Sequence, residues 1–101
     1  LIETQLNRCI IDGELIELDA LRYTPAGVAR VGLKIRHVSS QQEAGTARKV
    51  ECEIPAISLD KAALAANKLL PGQQVRVEGF LAQRSLRNTQ LILHIDNIIL
   101  K

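Results

Sequence analysis

Four stretches of this chain repeat with a period of two, and one short alanine-rich stretch interrupts them. A period of two is the side-chain period of a strand with one buried face. In the clearest stretch, Val28 to Val38, Val31, Leu33 and Ile35 point one way while Arg30, Lys34 and Arg36 point the other. From Asn7 to Leu18, Cys9, Ile11, Gly13 and Leu15 share a face, and Gly13 is a natural place for a bulge or bend. Arg48 to Ile54 sets Val50, Cys52 and Ile54 inward against Lys49, Glu51 and Glu53. Gln74 to Gln83 sets Val75 and Val77 on one face, and a last strand runs from about Thr89 to Leu100.

The punctuation between these stretches is equally regular. Pro25 and Gly27 make Arg22–Gly27 a turn, and the polar stretch Ser39–Thr46, with Gly45, reads as the loop of a hairpin. After Ile54 the period changes. Ser58 can cap a short helix, Asp60 favours its positive end, and Ala62–Ala66 propagate it up to the stop at Pro71–Gly72. Three strands, a helix and two strands is the order of an OB-fold: an all-β, five-stranded Greek-key barrel with a short helix between strands three and four. With 101 residues and no linker or repeat, residues 1–101 are expected to form a single OB-fold domain.

Composition narrows the function. The chain is 47% hydrophobic and 24% charged, as in a globular protein, and no apolar run reaches the ~18 residues of a membrane helix. No signal peptide is visible, and a chain starting at Leu1 is expected to be part of a longer translation product. Cys9 and Cys52 are too few for a disulfide framework and are expected to be reduced core thiols of a cytoplasmic protein. His37 and His94 fall in no metal-ligand spacing, and there is no nucleophile elbow or phosphate-binding glycine loop. Neither an enzyme nor a cofactor or metal site is expected.

Charge points to binding instead. Net charge is −4 over residues 1–20, +5 over 21–50 and +1 over the remainder. That asymmetry implies a basic face suited to a polyanion, or acidic and basic strands that neutralise each other. OB-fold barrels hold oligonucleotides on strands two and three, between the loops joining strands one to two and four to five. Those places carry Arg30, Lys34 and Arg36, then Lys49, then Arg22 with Tyr23, and last Arg84 and Arg87. Tyr23 and Phe80 are the only aromatic rings, and Phe80 is expected in the core. A groove without stacking relies on phosphate contacts, and about three of them would give a log–log salt slope near −2 on single strands.

Arg22–Tyr23–Thr24–Pro25–Ala26–Gly27 and Pro71–Gly72–Gln73–Gln74–Val75–Arg76–Val77–Glu78–Gly79 resemble segments of bacterial single-stranded DNA-binding proteins. His37–Val38–Ser39–Ser40–Gln41–Gln42–Glu43–Ala44–Gly45 and Glu51–Cys52–Glu53–Ile54–Pro55 narrow the resemblance to the PriB (primosomal replication protein N) family, and it runs from about Asn7 to Leu100. It implies a homodimeric, non-enzymatic OB-fold that binds single-stranded DNA and the PriA helicase at stalled forks, and hands over to DnaT where that protein is present. The family's basic contacts fall on Arg22, Arg48 and Arg87, with Arg84 beside them, and dimerisation falls on Asn7 to Ile11. Departures matter too. The family's stacking aromatics fall on Glu51 and Thr46, a basic position falls on Glu17, and lysines of the last loop are replaced by Ser85 and Gln90. The resemblance so qualified implies weak DNA binding and more dependence on the helicase.

Three readings are open at this point: an adaptor of that kind, a general single-strand binder, or a protein-only module. The second expects a flexible glycine-rich tail beyond the fifth strand. The third expects Lys34 and Arg36 to be paired with Asp12 and Glu14.

Overall fold

The computed structural model describes residues 5–101; residues 1–4, which the single-domain reading also takes in, lie outside the described residues. The elements are β1 (Cys9–Leu18), β2 (Arg22–Tyr23), β3 (Ala29–Glu43), β4 (Thr46–Leu59), α1 (Lys61–Ala66), β5 (Gln74–Gln83) and β6 (Leu91–Leu100). The sheet runs β1-β5-β6-β4-β3-β2, and β3 also returns to β1. The five long strands therefore close on themselves, with β2 a two-residue ribbon on the flank of β3. This is the five-stranded barrel with one short helix that the element order implies.

Closure rests on three local devices. β1 serves two partners: Cys9–Glu14 pairs with β5 and Glu14–Leu18 with β3. At the corner a Cβ on Gly13 would lie 2.5 Å from the Arg36 carbonyl oxygen, so the glycine permits close passage of β1 over β3. The bulge itself sits between Leu15 and Glu17 and not at Gly13. Ala56–Ser58 of β4 pairs in parallel with Leu93–Ile95 of β6, which seals the barrel. At Gly79 a Cβ would overlap the His94 carbonyl, beside a register shift between Glu78 and Gly79.

Leu15, Leu33, Ile35, Ala56, Val75, Val77, Leu93 and Ile95 fill the interior. Beneath them α1 turns Ala63 and Ala66 onto Ala29 and Val31, and small side chains let so short a helix plug the barrel end. Ser58 does not cap that helix. It is a buried β4 residue whose hydroxyl donates to the Val31 carbonyl at 2.9 Å, because β4 must run on to meet β6. Asp60 occupies the cap position at φ 56°, with no side-chain cap bond.

The segment expected as a loop, Ser39–Thr46, is mostly strand. β3 and β4 stay paired from Arg30–Leu59 out to Glu43–Thr46, so the hairpin projects beyond the barrel as an arm. Ala44 and Gly45 turn it, both with positive φ, as a two-residue hairpin requires. The arm accounts for a longest extent of 49 Å and a radius of gyration of 14.7 Å, against about 13 Å for a compact chain of this length. Cys52 lies on it and is exposed, so it is not the core thiol expected, whereas Cys9 is half-buried and packs against the core. His37 ties the arm's base to β1. Its Nδ1–H donates to the Asp12 carbonyl at 2.7 Å, leaving Nε2 to accept from the Ser39 hydroxyl at 2.7 Å. No helix among the described residues is long and apolar enough to cross a membrane.

Candidate nucleic-acid interface

Cross-strand partners share a face, so the registers define the outer surface of the barrel row by row. Arg22 lies opposite Arg30, Arg30 opposite Leu59, Gly32 opposite Ile57, and Lys34 opposite Pro55. The inward rows between them are Val31 with Ser58 and Leu33 with Ala56. Outward-facing β2, β3 and β4 thus form the floor of a groove, and Arg84, from the end of β5, reaches its rim. Arg22, Arg30, Lys34 and Arg84 line this groove together with the carboxylates of Glu17 and Asp19. Four cations against two anions leave a positive excess. Gly32 keeps the floor low, with the Asp19 carboxylate lying over it.

The eight basic residues singled out in the sequence divide by how their charges are used. Arg22, Arg30, Arg84 and Arg87 form no ion pair among the described residues. Arg84 is instead oriented by Gln90, with its Nε–H donating to Oε1 at 3.0 Å. Lys34 sits 3.7 Å from both Glu17 and Glu53. Arg36 is 3.7 Å from Glu51, which also holds Lys49 at 2.9 Å, and Arg48 is held by Glu43 at 2.7 Å. Neutralisation between neighbouring strands is therefore real, but it is concentrated on the arm. Asp12 and Glu14 are not the partners of Lys34 and Arg36. Asp12 is taken instead by Arg76 of β5, at 2.6 Å, and by Lys101, at 2.8 Å. Those hydrogen bonds, Arg76's above all, hold the Asp12 carboxyl well below the usual carboxylate range.

The β5–β6 loop is preorganised although it is exposed. Gln83 donates to the carbonyls of Ser85 and Leu86, Asn88 N–H to the Ser85 hydroxyl, and Gln90 N–H to the Asn88 side chain. These bonds fix the loop that carries Arg84 and Arg87. Tyr23 does not join the groove. It lies opposite Ala29, whose side chain is in the core, so alternation sends the ring to the other face from Arg22. Phe80 is not in the core. It is 41% exposed and stacks on His94, with ring centroids 5.0 Å apart and planes 10° from parallel. Gly32, Ile57 and Asp19 escaped the sequence reading, because nothing in a glycine or an isoleucine marks a groove floor. Among the described residues no group of three His, Cys, Asp or Glu side chains comes together as a cation site.

Comparison with known proteins bears on the family and the fold. Residues 7–97 match a family model described as another single-strand binding protein family. The replication restart protein PriB of Nitrosomonas europaea is 38% identical over 89 residues, which covers 88% of this chain and 82% of that protein. PriB of Neisseria meningitidis serogroup C is 42% identical over 78 residues, 77% of each chain. The crystal structure of PriB from Ralstonia solanacearum superposes with a TM-score of 0.86 at 34% identity, covering 95% of this chain and 98% of that one. A single-stranded DNA-binding protein from Thermus aquaticus superposes at 0.75 with 27% identity, covering 95% of this chain and half of that one. By sequence and by fold alike, this chain belongs to the PriB family of single-strand binding proteins.

Proposed function

We propose that this protein binds single-stranded DNA as a non-enzymatic accessory factor of replication restart, and that it does so weakly, without sequence preference and with marked salt sensitivity. One observation carries the reading. Arg22, Arg30 and Arg84 converge on the outward face of β2–β4, and among the described residues no carboxylate is paired with any of them. In an OB-fold this is the face that takes oligonucleotides. Affinity resting on so few phosphate contacts is about micromolar or weaker at physiological salt. Family membership supports the PriA helicase as its partner at stalled forks, with transfer to DnaT where that protein exists. A homodimer through β1 is supported by the strand's geometry: Cys9–Gly13 pairs with β5 along one edge, and pairing of the other edge with β3 begins only at Glu14.

The test is a fluorescence-anisotropy titration of labelled oligothymidylate at several salt concentrations. Binding that weakens steeply with salt supports the proposal. No binding at low salt rejects it. A protein-only adaptor is the second reading, favoured by the paired charges of the arm. Helicase capture without any DNA binding would select it.

A further inference from the structure

The groove floor does not stop at β4. Gly32 pairs with Ile57, Ile57 with His94, and His94 with Phe80, so one outward row crosses β3, β4, β6 and β5 without a break. Ile57 borders both the arginine groove and the hollow that contains the Phe80–His94 stack. Phe80 is thus three strand spacings from Gly32 around the barrel wall, about 14 Å along the sheet. It is a large exposed ring, stacked parallel on a second ring, where the row that begins at Gly32 has turned round the barrel to β5. Leu59, 40% exposed and opposite Arg30, continues the apolar surface along β4. The charged groups around the hollow are Asp60, Lys61 and Asp96, and Asp96 is neutralised by Arg8 at 2.6 Å.

From this continuity we infer that the Phe80–His94 pair is a base-stacking platform, on which a nucleobase of the strand held by the arginine groove lies as a third ring. The inference rests on the proposed single-strand binding. It supplies the apolar contact that the absence of aromatics from the arginine groove leaves missing. A platform placed after the arginines makes a division of labour: phosphates are held on β2–β3 and at Arg84, and a base on β5–β6. Stacking is indifferent to sequence because every base has a π-face.

The chain contains no tryptophan, so Phe80→Trp introduces a sole indole reporter. Oligothymidylate is titrated into the full chain carrying Phe80→Trp, with anisotropy of a labelled oligomer followed in parallel. Indole quenching that tracks the anisotropy curve is expected. Phe80→Ala should lower affinity for oligothymidylate about tenfold. Phe80→Leu, which keeps apolar bulk at the site, should lower it similarly. Both should leave the salt slope unchanged, and neither should alter binding of an abasic oligomer of the same length. Quenching absent while anisotropy reports binding overturns the platform, as does an equal loss on the abasic oligomer. Wild-type protein that binds no oligomer at low salt removes the underlying binding reading instead.

Discussion

Removing two unpaired arginines should change the salt dependence of DNA binding, whereas removing two paired basic residues should not. Arg30 and Arg84 line the groove without a carboxylate partner among the described residues; Arg48 and Lys49 are held by Glu43 and Glu51 at 2.7 and 2.9 Å. A phosphate that docks on a free arginine releases a counterion, about 0.7 in log–log slope per contact on single strands. The four unpaired arginines therefore predict a slope near −3, steeper than the value near −2 that three contacts give. Raising salt from about 50 to 200 mM should then weaken binding by roughly 50-fold. In Arg30→Gln with Arg84→Gln the slope should fall to about −1.4, and the same salt step should cost only about sevenfold. Arg48→Gln with Lys49→Gln should keep the wild-type slope, since those cations would have to leave a carboxylate before taking a phosphate. The assay is anisotropy with a labelled oligomer at four or five salt concentrations. Equal flattening by both double variants would refute the division into free and paired cations.

Glu51 holds both Arg36 and Lys49, so Glu51→Gln releases two cations at once. Tighter binding at low salt is expected, with a slope steeper by up to about 1.4; an unchanged titration would place the arm outside the DNA path. Gly79→Ala forces a Cβ into the His94 carbonyl across the β5–β6 ladder. It should destabilise the barrel by about 3 kcal/mol and lower Tm by at least 12 °C or so in thermal unfolding, and a wild-type Tm would mean that β5 has room to shift. Asp12 has its folded-state pKa depressed by Arg76 and then Lys101, so it contributes stability that is present above its unfolded pKa near 3.9. That contribution is lost as pH falls toward the folded value. Denaturant unfolding of Asp12→Asn should therefore show a shallower loss of stability below about pH 4 than wild type, and parallel acid limbs would count against the pairing.

The barrel was legible because each of its strands hides one face. Val31, Leu33 and Ile35 alternate with Arg30, Lys34 and Arg36, and the first three are buried as that pattern requires. The arm was not legible. Ser39–Glu43 has water on both sides, so no apolar period marks it as strand. Cys52 shows the same limit from the other side. Its parity with Val50 and Ile54 is right, but opposite His37 the strand pair is already leaving the barrel, and nothing covers it. Phe80 was misplaced for a different reason. Its parity with Arg76 and Glu78 points outward, and only the habit of burying a lone phenylalanine argued otherwise. Within the site, the basic residues were visible as types, but their separation into free and paired groups depends on register. Glu51 lies across from Val38, between Arg36's row and Lys49's, which only the fold brings together.

The most direct test of the binding face is to map single-stranded DNA onto the 11.1 kDa chain by backbone amide shifts in a uniformly 15N-labelled sample. Oligothymidylate should perturb Arg22, Arg30, Gly32 and Ile57, the 84–90 loop, and then Phe80 and His94, while Asp12, Arg76 and Ile99, paired with one another away from both hollows, stay still. Shifts centred on Asp12 and Arg76, or none at saturating DNA and low salt, would contradict it.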